Sequence, residues 1–166
     1  MPELVPLLVF CQALGAVTGA CTAVWSEIAY VWAMRDKKID SAERTHLNIL
    51  ARGLRYGMTL FLLSSLALVV EAYVLQLSPQ PALSAGYWIS ITLALLVVGT
   101  SWALSRHLIS FPLGSATVFT SWWFLAYLTL GQLPSLSFST ALAILVVVTA
   151  VFYAVLQYGR FLALRK

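Results

Sequence analysis

Residues 4–34, with the sequence LVPLLVFCQALGAVTGACTAVWSEIAYVWAM, form an apolar run that contains one acid and no base, and this run decides the fold class. A helix needs roughly 20 mostly apolar residues to cross a bilayer. Four further apolar runs follow, and 61% of the 166 residues are hydrophobic, with a mean hydropathy of +0.89. Such a composition leaves too few polar residues to cover a water-soluble domain. The sequence therefore predicts an all-α integral membrane protein.

Proline-containing turns divide the apolar runs into a predicted bundle of five transmembrane helices within one membrane domain, residues 1–166. Pro79, Pro112 and Pro134 interrupt the runs, because proline lacks the amide proton that continues a helix. The spans are expected at residues 4–34, 56–77, 87–111, 115–133 and 138–158.

Basic residues set the orientation of this bundle. The connection between the first two spans, RDKKIDSAERTHLNILARGLR at residues 35–55, holds six of the ten Lys and Arg residues. Arg106 ends the third span, and Arg160, Arg165 and Lys166 follow the fifth. All ten therefore lie on one face, and Lys and Arg favour the cytoplasmic side. We expect a protein of the cell membrane with its N-terminus outside and its C-terminus in the cytoplasm.

The basic connection is also the main polar segment of the chain. Asp40 and Glu43 have the spacing of a capping box, which predicts a cytoplasmic helix at residues 41–55 that merges with the second span or lies just beneath it. The basic side chains are expected to meet anionic lipid headgroups on that side. Because these residues account for the net charge of +4, nucleic acid is not an expected partner.

A stripe of small residues marks the packed face of the first span. Gly15, Gly19 and Ala23 recur at every fourth residue and lead to Glu27, with Ser26 beside it. Glycines at this spacing let a second helix approach closely. We therefore expect Gly15 and Gly19 to pack against another helix, and Glu27 to face the bundle rather than lipid.

Glu27 is predicted to pair with Arg106 or His107, since these residues lie at a similar depth when counted from the outer ends of their spans. A charge left alone in hydrocarbon costs roughly 3 kcal/mol or more, so buried charges find partners. Two interpretations stay open. The pair is a permanent contact that orients the helices, or it belongs to a polar site that binds or moves an ion.

Glu71 marks a second predicted polar site in the outer part of the second span. Ser64 shares its helix face, and Gln12 of the first span lies at a suitable depth to bond it. Two acids at opposite depths suggest stations on a proton or cation path. The alternative is that Glu71 reaches the outer membrane interface.

The sequence carries no recognised catalytic or metal-binding motif. His46 and His107 are the only histidines, and His46 belongs to the basic connection, so a haem held by two facing imidazoles is not expected. Cys11 and Cys21 lack the ligand spacing of a zinc site. We therefore expect no metal, no cofactor and no enzymatic activity, with haem kept as a minor alternative.

The segment from Ser26 to Glu43 resembles a class of small bacterial multi-pass membrane proteins of uncharacterised function. The resemblance lies in Ser26-Glu27 and Tyr30, followed by a short loop, Arg35-Asp36-Lys37-Lys38-Ile39, and then a capped helix. It covers the N-terminal half of the chain. It implies a multi-pass membrane fold and brings no activity with it.

These observations favour a non-enzymatic membrane protein with a polar intramembrane site that transports an ion, a proton or a small solute. The first alternative is an accessory subunit of a larger membrane complex or of a homo-oligomer, in which the same polar residues fix helix packing. The second alternative is a redox module that holds haem or quinone.

Overall fold

The structure, a computed structural model, describes residues 4–34, 39–76, 80–132 and 136–164. These residues form helices and turns, with no strand in the described ranges. The elements in chain order are α1 (Leu4–Met34), α2 (Ile39–Gly53), a π-helical turn (Leu54–Met58), α3 (Thr59–Val74), a 3-10 turn (Pro81–Leu83), α4 (Ala85–Ser105), α5 (Phe111–Thr129) and α6 (Phe138–Leu164).

Four helical segments are long and apolar enough to cross a membrane, which indicates a membrane protein. They are Leu4–Met34, Ser41–Val74, Ala85–Ser105 and Phe138–Ala163. The second segment joins α2, the π-helical turn and α3 into one continuous helix. The predicted boundary between a cytoplasmic helix and the second span therefore lies inside a single helix.

Helix α1 packs closely along this continuous helix because both present glycine at the contact. A Cβ atom on Gly15 would lie 2.7 Å from the carbonyl oxygen of Gly57, and one on Gly57 would lie 2.8 Å from the carbonyl oxygen of Gly15. Gly19 faces the ring of Trp122 on α5, with no room for a side chain. Both glycines of the small-residue stripe thus lie at close helix contacts.

The π-helical turn keeps one face of α2 and α3 against α1. The residues on this face are His46, Gly53, Gly57, Phe61 and Ser65, most of them four positions apart. Four-residue steps exceed the 3.6 residues of an α-helical turn, so a regular helix would rotate the face away. The wider π-helical turn absorbs the difference.

Helix α5 occupies the centre of the bundle, where it packs against α1, α4 and α6. Trp122 and Leu125 of α5 are buried in the core with Phe61, Leu93 and Val97. Several hydroxyl side chains of α5 bond back to carbonyl groups of the same helix, as Thr120 does to Ala116. This internal bonding lets polar residues lie inside an apolar bundle.

The connection between α4 and α5 differs from the prediction. The third span was expected to reach residue 111, but α4 ends at Ser105 and His107 takes a positive φ of 55°. Helix α5 begins at Phe111, before the predicted start at residue 115, because proline is tolerated in a first helical turn and Pro112 lies there. Gly114 lies inside α5 and packs on Leu104.

Some predicted features lie outside the described residues. They are the loop at residues 35–38, the Asp40 side chain of the predicted capping box, Pro79, the end of the fourth span at residues 133–135, and the basic tail at residues 165–166.

Candidate functional site

A buried ion pair joins α1 to α6. The Arg160 guanidinium donates from Nη2 to Glu27 Oε2 at 2.7 Å, and both residues are only 7% exposed. The same nitrogen donates to the Ser115 hydroxyl of α5 at 2.6 Å. Three helices that are distant in the chain are therefore connected through one guanidinium group.

His46 of α2 adds an imidazole to this pair. Its Nδ1 lies 3.3 Å from the Ser26 carbonyl oxygen and 3.9 Å from Glu27 Oε1. Because a carbonyl oxygen only accepts, the hydrogen bond to Ser26 places the proton on Nδ1. In the neutral ring Nε2 is then an acceptor. We call Glu27, His46, Ser115 and Arg160 the charged cluster.

Aromatic rings surround the cationic side of the charged cluster. Tyr30 and Phe111 are stacked with their centroids 4.4 Å apart. The Arg160 guanidinium carbon lies 4.9 Å from the Tyr30 centroid and 5.2 Å from that of Phe111. At these distances the ring faces attract the cation. The edge of His46 also packs against Phe111, at 4.8 Å between centroids.

Three buried polar atoms of the charged cluster have no hydrogen-bond partner among the described residues. They are Oε1 of Glu27, Nε2 of His46 and Nε of Arg160. Burying a polar atom without a partner is costly, and most buried polar atoms in proteins are satisfied. The cluster therefore offers two acceptors and one donor to a proton, a water molecule or a small polar group. Within the described ranges, no three His, Cys, Asp or Glu residues come together as a metal site would require.

The predicted pairing of Glu27 with Arg106 or His107 is wrong. Arg106 is an exposed residue at the end of α4, with its guanidinium carbon 6.0 Å from the Trp102 centroid. His107 is also exposed, and it lines a cavity of about 360 Å³ together with Glu43. Counting residues from the outer end of a span gives the depth of a residue in the membrane. It does not determine which helices lie beside it. The charged neighbours of Glu27 are Arg160 of α6 and His46 of α2, and not residues of α4.

The residues of the second predicted site do not come together in the described structure. Gln12 donates to the Ser65 hydroxyl at 2.8 Å, and the Ser64 hydroxyl bonds back to the Leu60 carbonyl at 2.6 Å. Glu71 is partly buried and has no hydrogen bond or ion pair to another described side chain. Gln12 and Ser65 instead line a cavity of about 250 Å³, here called the Gln12 cavity, whose other polar residues are Ser84, Tyr87, Ser90 and Thr129.

The Gln12 cavity and the charged cluster lie at opposite ends of the bundle. Along α1, Gln12 is followed by Gly15, which contacts Phe61, and by Gly19, which contacts Trp122, before Glu27 is reached. Phe61 and Trp122 are at most 1% exposed. The two polar regions are thus separated by a closely packed aromatic layer in this conformation.

Three members of the charged cluster, His46, Ser115 and Arg160, were missed, although the sequence carries a signal for His46 and for Arg160. Arg160 is a single base within the apolar helix α6. His46 shares a helix face with Ala42 and Leu50, both buried, which is the spacing of a packed face rather than a solvated one. Comparisons with known protein families, with curated proteins and with solved structures found no match.

Proposed function

We propose that this chain is a five-span protein of the cell membrane that carries out proton-linked transport, with the charged cluster as its proton-binding site. In this proposal the cluster lies in the cytoplasmic half of the membrane. The one-sided distribution of Lys and Arg supports that orientation. Trp32 and Trp102 are exposed near the C-terminal ends of α1 and α4. Tryptophan is common at the membrane–water interface, and this position supports the same orientation.

Helix α5, the fourth span in chain order, completes the five spans of the proposal. Its 19 residues correspond to about 28 Å of helix, close to the thickness of the hydrocarbon core. It is less apolar than the other long helices because its hydroxyl residues face protein rather than lipid. Its position among α1, α4 and α6 supports a membrane-crossing path over a surface position.

One observation carries the proposal: Oε1 of Glu27 and Nε2 of His46 are both buried without a hydrogen-bond partner among the described residues, on two neighbouring side chains beside Arg160. A buried ion pair that serves only stability needs hydrogen bonds to the polar atoms that do not take part in the pair. Here two of the unsatisfied atoms are acceptors on ionisable groups. Both belong to side chains that can bind a proton.

Proton flux into liposomes tests this proposal. The full-length protein is reconstituted with a pH-sensitive dye inside, and a potassium gradient with valinomycin drives proton entry. We expect flux above that of protein-free liposomes, and its loss in Glu27→Gln and in His46→Gln. Glu71→Gln is the matched control, since it removes the other membrane acid outside the cluster, and it should retain flux.

Each variant is first compared with the wild type by thermal unfolding, so that loss of flux is not confused with loss of fold. Flux that survives both cluster substitutions in folded protein would contradict the proposal. A wild type that conducts no protons above the protein-free background would contradict it as well.

A further inference from the structure

Helices α1 and α6 leave a lateral cleft beside the charged cluster. The cleft has a volume of about 400 Å³ and is lined by Glu27 and Arg160 together with apolar residues: Ile28, Val31, Trp32, Val155, Leu156 and Gly159. The two helices meet mainly through the ion pair and otherwise pack against their other neighbours. The cleft therefore runs from the outer surface of the bundle to the charged cluster.

The walls of the lateral cleft suit a hydrocarbon chain. Ile28, Trp32 and Val155 are exposed on the surface of helices that are apolar enough to cross a membrane. Exposed apolar surface on such helices is compatible with lipid chains and unfavourable in water. The expected route into the cleft is therefore lateral, from the bilayer.

Gly159 keeps the lateral cleft open next to Arg160. A Cβ atom at this position would meet no other atom within 4 Å, so protein packing does not require a glycine there. Glycine inside a helix is less favourable than alanine by about 1 kcal/mol. The glycine thus leaves free space beside a charged residue that is more than nine-tenths buried.

The charges that line the lateral cleft favour a neutral headgroup. Glu27 would repel an anionic head and Arg160 a cationic one, while the two neutralise each other. Of the side chains that line the cleft, the Glu27 carboxylate can accept a hydrogen bond and the Arg160 guanidinium can donate one. A hydroxyl group is both donor and acceptor.

We propose that the lateral cleft binds a single-chain amphiphile with a neutral hydroxyl head, such as a long-chain alcohol. The chain lies between α1 and α6, and the hydroxyl meets Glu27 and Arg160. This inference rests on the proposed role of the charged cluster as a binding site, and it names the class of molecule that reaches that site from the membrane.

Photolabelling of the full-length protein tests the inference. The protein is placed in phosphatidylcholine nanodiscs with a hexadecanol that carries a diazirine and an alkyne on its chain, and labelled residues are mapped by mass spectrometry. We expect labels on α1 and α6 residues of the cleft. Gly159→Leu adds a side chain on the cleft wall at a position where the Cβ atom meets nothing within 4 Å, and it should lose this labelling. Gly99→Leu is the matched control, because Gly99 also has open space around its Cβ position but lies on α4.

Competition separates a site from ordinary lipid contact. Unlabelled hexadecanol should reduce labelling, whereas hexadecyl sulfate and hexadecyltrimethylammonium, which have the same chain and a fixed charge, should not. Equal competition by all three, or unchanged labelling in Gly159→Leu, would overturn the inference.

Labelling and proton flux are separate readouts. Specific labelling in a protein without proton flux would support the cleft and contradict only the proposed transport. Proton flux in the wild type, together with labelling that is unchanged in Gly159→Leu, would support transport and overturn the proposed binding in the cleft.

Discussion

Glu27 and Arg160 are 133 positions apart in the chain, yet the carboxylate and the guanidinium meet at 2.7 Å inside the bundle. The contact joins the first and last long helices, and Ser115 connects it to the central helix α5. The same two side chains therefore hold the helices together and line the lateral cleft.

Breaking this ion pair from one side should destabilise the fold. Arg160→Met leaves the Glu27 carboxylate buried without its partner, and we expect a loss of about 3 kcal/mol in the free energy of unfolding. Glu27→Met/Arg160→Met should recover most of that loss, because neither charge remains. Arg106→Met, at an exposed base, should have little effect. Reversible unfolding in detergent measures these variants together with Glu27→Met, and a double variant as unstable as the sum of Glu27→Met and Arg160→Met would contradict the coupling.

The contact between Gly15 and Gly57 should tolerate no added methyl group. Gly15→Ala places a Cβ atom 2.7 Å from the Gly57 carbonyl oxygen, and the helices must move apart. We expect a destabilisation of about 1–3 kcal/mol, as in overpacked cores. Gly99→Ala, where the Cβ position is open, should be neutral or slightly stabilising. Similar melting temperatures for the two variants would show that the close approach is not important for stability.

The five-span topology predicts opposite accessibility on the two sides of α5. In a protein with Cys11 and Cys21 replaced by alanine, single cysteines are placed at Ser110 and Ser137, which are exposed before and after α5. A membrane-impermeant maleimide added to intact cells should label the cysteine at position 137 and not the one at position 110. In inside-out vesicles the result should be reversed. Labelling of both from the same side would mean that α5 does not cross the membrane.

The sequence was sufficient to predict the helical class and the burial of Glu27, since both follow from local patterns. Apolar length indicates spans, and the small residues at Gly15 and Gly19 mark the face that carries Glu27. The partner of Glu27 was not predictable in the same way, because lateral helix order depends on packing between distant segments. Arg160 was interpreted only as one of the basic residues that set the membrane orientation, although the helix around it is apolar.

Two further features have local physical causes. Helix α2 was expected either to merge with the second span or to lie just beneath it, and the π-helical turn joins it to α3, with His46 beside the Ser26 carbonyl group. Pro112 was interpreted as a break between spans, whereas proline in a first turn is compatible with a helix and here lies in the first turn of α5. Both features bring polar residues into the charged cluster.

The protonation state of His46 tests the central claim most directly, since the proposed proton site needs Nε2 to be an unprotonated acceptor. Nitrogen-15 NMR of histidine-labelled protein distinguishes the two neutral tautomers, and His107→Gln leaves His46 as the single labelled residue. We predict the tautomer with the proton on Nδ1 at a pH where the ring is neutral, and protonation of Nε2 as the pH is lowered. A neutral ring that carries its proton on Nε2 would contradict the account.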